Sequence, residues 1–192
     1  MSVRLRQEIQ AVSRQAGVSV VFFRHGESEA NVEARINDDP ERIVNLTELG
    51  RRQAAMVAKD SYDHAYASEF PRAQQTAKII LSESALPLHV DARINERKSG
   101  MDNRPVREFN ERMRADPTGF RPEGGESFRE EMERLKSFLD DMAALHPGKK
   151  ILAVSHENPI LAALALCGMD PREAALGSIA NCQKVEITWP KS

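Results

Sequence analysis

The stretch Val20–Asn31, VVFFRHGESEAN, decides how this chain is read. Four consecutive apolar residues, β-branched and aromatic, have the composition of a buried strand. They run directly into Arg24, His25 and Gly26. A strand surfacing into an ordinary loop accounts for polarity at that point. A histidine placed to do chemistry accounts for the pair of residue types.

Outward from that stretch, strand-like and helix-like segments alternate. NLTELGRRQAAMVAKD, from Asn45, reads as a helix with Thr47 as N-cap. HAYAS is a short strand ending near Ser68, and EFPRAQQTAKIILSES a helix whose Pro71 is tolerated because it sits in the first turn. LHVDAR, from Leu88, is a third strand. ESFREEMERLKSFLDDMAALH is a long amphipathic helix with Phe128, Met132, Leu135, Leu139 and Met142 on one side. KKILAVS is a buried strand, NPILAALALCG a helix with Pro159 in its first turn, and QKVEITW an alternating final strand suited to a sheet edge. This alternation predicts an α/β three-layer sandwich with a largely parallel central sheet flanked by helices.

The length, 192 residues, fits one domain spanning 1–192. Two segments stand apart. Residues 1–16 carry Leu5, Ile9 and Val12 at helical spacing and read as an extra amphipathic helix docked on the domain. Residues 96–125 are polar, Arg-rich and dotted with Pro and Gly; they read as an excursion over the sheet containing a helix, PVREFNERMRAD.

Composition excludes several classes. With 41% hydrophobic and 29% charged residues the default is a soluble globular protein. A net charge of −2 and only 5% aromatics argue against nucleic acid as a partner. The N-terminus lacks the apolar core of a secretory signal, and the longest apolar run, PILAALALCGM, is too short to span a bilayer. Cys167 and Cys182 form no CxxC pair and read as small buried apolar residues, so a reduced cytoplasmic setting is expected. P-loop, GxSxG and HExxH motifs are absent.

The polar residues fall where strands end. Arg24 and His25 follow the first strand, Ser68 and Arg72 the second, Glu96 the third, and His156 follows ILAVS directly. In open α/β sheets ligands bind at the carboxyl ends of strands, so two His, two Arg and a Glu are expected at one mouth. Two guanidinium forks suit a phosphate dianion. Histidine supplies a nucleophile or a donor, and a carboxyl can protonate a leaving alkoxide. Phosphoryl transfer, which needs positioning and charge stabilisation above all, matches this set.

RHGESEAN, LTELGRRQA, SEFPRAQQTA, NERKSG, GGES and VSHE occur in that order, and in this the chain resembles the histidine phosphatase superfamily, the phosphoglycerate mutase-like enzymes, from the first strand to the last. The resemblance implies that His25 is the nucleophile forming a phosphohistidine, that Arg24, Arg72 and His156 hold the phosphoryl oxygens, and that Glu96 is the general acid that later activates water. It places Asn31 and Ser68 at the phosphate or substrate pocket. It implies no metal and no cofactor, and a small-molecule phosphomonoester as partner. Where the family commonly has Gly after the second His, this chain has Glu157, which either repels substrate or points away to open a helix; Asn158 follows it.

Other polar residues receive plainer readings. His64, His89 and His146 read as structural or solvated. Arg97 and Arg104 flank the expected cleft, and recognition of a second anionic group stands level with a solvated surface role. Glu108 and Arg112 read as an i,i+4 ion pair, GRRQAA as helix surface, and GGES as turn and cap. A longer insertion and a tyrosine after the acid, both expected of mutases in this family, are missing. Net hydrolysis of a phosphomonoester is therefore preferred to mutase-type phosphoryl transfer, and both to a non-catalytic phospholigand-binding or scaffold role. The sequence leaves a homodimer open.

Overall fold

A computed structural model describes residues 17–190, so the helix expected over residues 1–16 lies outside the described residues. VSVVFFR forms strand β1, Val18–Arg24, and it pairs on both sides: with β4 (Lys150–Ser155) in parallel and with β5 (Lys184–Trp189) antiparallel. β4 pairs in turn with β2 (His64–Ala67), and β2 with β3 (Leu88–Val90), both in parallel. The order β3-β2-β4-β1-β5 puts the alternating segment QKVEITW at the edge, as its half-polar pattern requires.

The continuous apolar run of β1 has its explanation in two covered faces. Val18, Val20 and Phe22 join one core, and Val21 and Phe23 the other. The first core is closed by α5 (Phe128–Leu145), α6 (Glu157–Leu166) and α7 (Pro171–Ala175). The second is closed by α3 (Pro71–Ile80), where Ala73 and Ala77 let the helix approach the sheet. The small α1 (Glu29–Val32) and α2 (Glu48–Ala55) precede it. Phe128, Leu135, Leu139 and Met142 face the core as their spacing predicts; Met132 packs at its margin, and Phe138 and the carboxyl-bearing Glu131 share the buried stripe.

Local signals set the helix starts. Thr47 caps α2, its Oγ1 accepting from the Gly50 amide at 3.0 Å. Pro71 is the first residue of α3, where it costs no hydrogen bond. Ser127 and Glu130 form a reciprocal capping box on α5. The excursion holds helix α4, Val106–Met113, which seats Phe109 and Met113 against Met101 in a small cluster of its own.

Three expectations need correction. The helix at NLTELGRRQAAMVAKD ends at Ala55, well short of Asp60. GRRQAA is not simply helix surface. Gly50 is buried, and a Cβ there would lie 2.0 Å from the Glu27 carbonyl oxygen, while a Cβ on Gly26 would lie 2.4 Å from that of Gly50. The two glycines let α2 touch the turn that follows β1. Cys167 and Cys182 are half-buried, because each sits at an element end and not in a core: Cys167 closes α6, and Cys182 lies in the turn before β5 with φ 57°.

Candidate active site

The sheet register builds the site. Phe23 of β1 and Ala67 of β2 both lie opposite Val154 of β4. The three parallel strands therefore end level, and Arg24–His25, Ser68 and His156 emerge together. The His25 amide donates to the Ser155 carbonyl (3.0 Å) and the Ser68 amide to that of Val154 (3.1 Å), so each loop leaves the sheet still bonded to it. Helices α3 and α6 begin at the same mouth: Phe70 is the N-cap of one and His156 of the other. Their amino termini add positive potential there.

Arg72 is the hub. It is 3% exposed, and its guanidinium spends its donors on fixed partners. Nε donates to His25 Nε2 at 3.0 Å and Nη2 lies 3.1 Å from His156 Nδ1. The fork is held from behind by Asn37, through its side-chain oxygen and, at 3.1 Å, its carbonyl. The plane also lies over the Phe70 ring, 4.4 Å from its centroid.

The two histidines are buried, with ring centroids 5.1 Å apart. His25 Nδ1 is 2.7 Å from the Gly26 carbonyl, which only accepts; the proton is therefore assigned to Nδ1 and the lone pair to Nε2. By the same reasoning His156 Nδ1 accepts from Arg72, and its Nε2–H donates to Ser68 Oγ at 2.7 Å. Burial, and then the Arg72 charge, hold both imidazoles well below the usual histidine range, so both are neutral at pH 7.

Arg24 pairs with Glu157 at 3.1 Å and donates to the Ile179 carbonyl, while its buried Nε has no partner. Glu157 also accepts from the Ile179 amide (3.1 Å), so it ties the start of α6 to the segment before β5. Glu96 follows the 3₁₀ turn Ala92–Ile94. Its Oε1 accepts from the Arg97 amide (2.9 Å) and from Asn158 Nδ2 (3.1 Å). Desolvation pushes its carboxyl above the usual range against the opposing Arg97 amide, Arg72 charge and Asn158 bond.

Most of these groups face a cleft of about 340 Å³. Arg24, His25, Asn31, Arg72, Glu96, Arg97, Glu157 and Asn158 all line it, and beyond the polar cluster Val106, Phe109 and Met113 of α4 and Leu176 give it an apolar wall. Among the described residues, no group of three or more His, Cys, Asp or Glu is arranged to hold a metal ion. No helix among them is long and apolar enough to cross a membrane.

Some sequence-selected residues take other places. His156 and Ser68 are both fully buried and neither is among the cleft lining; His156 reaches the site through Arg72, with Ser68 behind it. Asn31 uses Oδ1 on the Ser28 amide (3.0 Å). Arg97 is turned into the protein, its Nη2 on the Phe120 carbonyl (2.8 Å) and its guanidinium over the Phe109 ring, with Nη1 unpartnered. Arg104 lies outside the cleft lining and pairs with Glu108 (2.7 Å), which also holds Arg112 (3.0 Å). His64 and His146 stack at 3.8 Å, away from the cleft lining.

Sequence reasoning missed Asn37, Thr76 and Asn181. Asn37 anchors Arg72. Thr76 Oγ1 accepts from the Gly26 amide (3.1 Å) and donates to the Arg72 carbonyl (2.8 Å), and Asn181 Nδ2 donates to the His25 carbonyl (2.9 Å). Thr76 alone carried a signal, being a polar residue on the buried face of α3.

With this geometry in place, comparison with known proteins is informative. Residues 20–192 match the model of the histidine phosphatase superfamily (branch 1). A probable phosphoglycerate mutase, GpmB, of Yersinia pestis is 31% identical over 91% of this chain and 86% of its own length. The α-ribazole phosphatase of Shigella flexneri has a TM-score of 0.73 at 26% identity, covering 88% of this chain and 89% of its own. A mycobacterial glucosyl-3-phosphoglycerate phosphatase in complex with VO3 has a TM-score of 0.77 at 24% identity, over 88% and 90%. The chain belongs to the histidine phosphatase superfamily. Its similar proteins carry the names of phosphatases and of phosphoglycerate mutases.

Proposed function

We propose that this protein hydrolyses a small-molecule phosphomonoester through a phosphohistidine on His25. The observation that carries the reading is the pair of bonds on one imidazole. Nδ1–H is committed to the Gly26 carbonyl, which leaves Nε2 unprotonated beside the Arg72 fork. When a phosphate dianion enters, Arg72 Nε turns its bond from Nε2 to a phosphoryl oxygen and Arg24 supplies a further contact; His156 adds one when its proton moves to Nδ1 and the Ser68 hydroxyl donates to its Nε2 instead. The Nε2 lone pair attacks phosphorus, the ester P–O bond breaks, and Glu96 gives its proton to the departing alkoxide. Glu96, now a carboxylate, takes a proton from water; the oxygen attacks phosphorus and the P–N bond breaks, releasing phosphate and neutral His25. Positive charge comes from the arginines throughout, so the scheme requires no metal.

Mutase-type transfer is the second reading, favoured by the name of the Yersinia relative. It differs only in the acceptor, a second hydroxyl in place of water. One experiment tests both. Phosphate release from a panel of phosphomonoesters is measured for the wild type and for His25→Ala, with acid-labile phosphoenzyme trapped on denaturation. Release and trapped phosphate that depend on His25 support the proposal, and equal background rates from the two proteins sink it. With 3-phosphoglycerate and a trace of 2,3-bisphosphoglycerate, isomerisation faster than phosphate release selects the mutase.

A further inference from the structure

Glu96 stands in irregular chain, with no strand or helix ladder to fix it, yet a general acid has to sit within about 3 Å of the leaving oxygen to work. We propose that the Arg134–Glu126 ion pair is the positioning device for the Glu96 carboxyl, a role that rests on the acid assignment made above.

The pair grips the chain on both sides of Glu96. Arg134, on α5, directs Nη1 at three carbonyls of the preceding segment: Arg93 (2.7 Å), Asn95 (3.2 Å) and Ala92 (3.5 Å). Its other edge forms a fork with Glu126, Nη2 to Oε1 at 2.6 Å and Nε to Oε2 at 3.2 Å. Glu126 then takes hold downstream. Its Oε1 accepts from the Lys98 amide (3.1 Å), its own amide donates to the Lys98 carbonyl (2.8 Å), and its carbonyl accepts from Arg97 Nε (3.2 Å). Asn95 and Lys98 are thereby tied to one bidentate pair, with Glu96 and Arg97 between them. Gly125 permits the approach, since a Cβ there would lie 2.6 Å from the Lys98 carbonyl oxygen.

Both partners act from behind. Neither lines the cleft that holds His25 and Arg72; both line a second cavity, of about 670 Å³, and Glu96 borders the two. Arg134 and Glu126 are partly shielded, 23% and 18% exposed, so the fork is less screened than a surface pair. A third carboxyl, Glu131, lies 3.8 Å from the Arg134 guanidinium. It is fully buried with neither oxygen hydrogen-bonded, and that burial pushes its carboxyl well above the usual range, whereas Glu126 holds Arg134 by two hydrogen bonds.

Displacement of an acid by about 1 Å costs on the order of 100-fold in rate, and only where the acid is needed. The test is therefore the dependence on leaving group. kcat/KM is measured with full-length protein on p-nitrophenyl phosphate, whose leaving group departs without a proton, and on an alkyl monoester such as glycerol 2-phosphate, whose leaving group needs one. Glu96→Gln sets the benchmark, losing the alkyl ester selectively. Arg134→Met and Glu126→Gln are expected to lose about 30- to 100-fold on the alkyl ester and under about 3-fold on the aryl ester, with Arg134→Lys recovering part of the loss. Glu126→Gln keeps the acceptor oxygen and the backbone bonds, so it remains interpretable if Arg134→Met melts below the assay temperature. An equal loss on both esters, or no loss on either, overturns the positioning role. If Glu96→Gln itself shows no selectivity, the acid assignment falls instead, and the two failures are told apart.

Discussion

Arg72 Nε donates to His25 Nε2 at 3.0 Å, and the same guanidinium reaches His156 Nδ1 at 3.1 Å. One cation thus fixes both imidazoles and lowers the pKa of each, after the larger effect of burial. Replacing Arg72 by Met is expected to cut kcat/KM by about 100-fold or more, as removal of a single charge-stabilising donor set does. It should also raise the His25 pKa, because a coulombic cause that lowers it is gone. Imidazole NMR titration of the variant reads that shift; an unchanged His25 titration contradicts it.

The pH profile follows from two displaced groups. His25 is lowered, so its reactive neutral form persists below the ordinary histidine range and is lost only in more acidic solution. Glu96 is raised, so its protonated form persists above the ordinary carboxylate range and is lost as pH rises further. Hydrolysis of alkyl esters should therefore peak in mildly acidic solution. The alkaline limb should be absent from kcat/KM for p-nitrophenyl phosphate, corrected for substrate ionisation, because no acid is needed there. An alkaline limb of equal size on both esters contradicts the assignment to Glu96.

Glu157 is 3.1 Å from Arg24, the guanidinium to which the proposed mechanism gives a phosphate oxygen. On that mechanism the carboxylate competes with the dianion for the guanidinium. Glu157→Gln keeps an acceptor for the Ile179 amide and removes the charge. It should tighten inhibition by inorganic phosphate by about 3- to 10-fold, the size of one partly exposed charge contact. Weaker phosphate inhibition in the variant would show that Glu157 instead orients Arg24 for binding.

Glu131 has neither carboxyl oxygen hydrogen-bonded, and burial pushes its carboxyl well above the usual range against the opposing Arg134 charge. An acid with a raised folded-state pKa binds its proton while the unfolded chain has released it, so stability falls as pH climbs above the unfolded value. Glu131→Leu should stabilise the fold by about 1–3 kcal/mol near neutral pH, and by less at pH 4.5. Thermal melts at the two pH values measure this. A variant less stable than wild type at pH 7 would mean that the approach to Arg134, 3.8 Å away, outweighs the cost of burying the carboxyl.

Gly50 tests the contact behind the nucleophile. A Cβ would meet the Glu27 carbonyl oxygen at 2.0 Å, which neither backbone can relieve cheaply. Gly50→Ala should destabilise by about 1–3 kcal/mol, the usual cost of overpacking, and reduce activity through displacement of the His25–Glu27 turn. Arg51→Ala, on the exposed side of the same helix, serves as the control and should be close to neutral.

What the sequence determined by itself is local and periodic. The unbroken VVFF run marked a doubly covered strand, the alternation in QKVEITW marked an edge, and Pro71, Thr47 and Ser127 marked helix starts. Those patterns also put Arg24, His25 and His156 at strand ends, because strand direction carries whatever follows each strand to the same mouth. Tertiary structure decided the rest, since partner choice depends on chain segments far apart in sequence. Asn37 anchors Arg72 from a loop with no periodic signal, 35 residues away. Arg97 and Arg104 look alike as letters, yet one is buried under Phe109 and the other pairs with Glu108 at the surface. Gly26 and Gly50 signal nothing until two backbones meet, and GGES reads as turn and cap until Glu126 forks with Arg134 and the pair closes around Glu96.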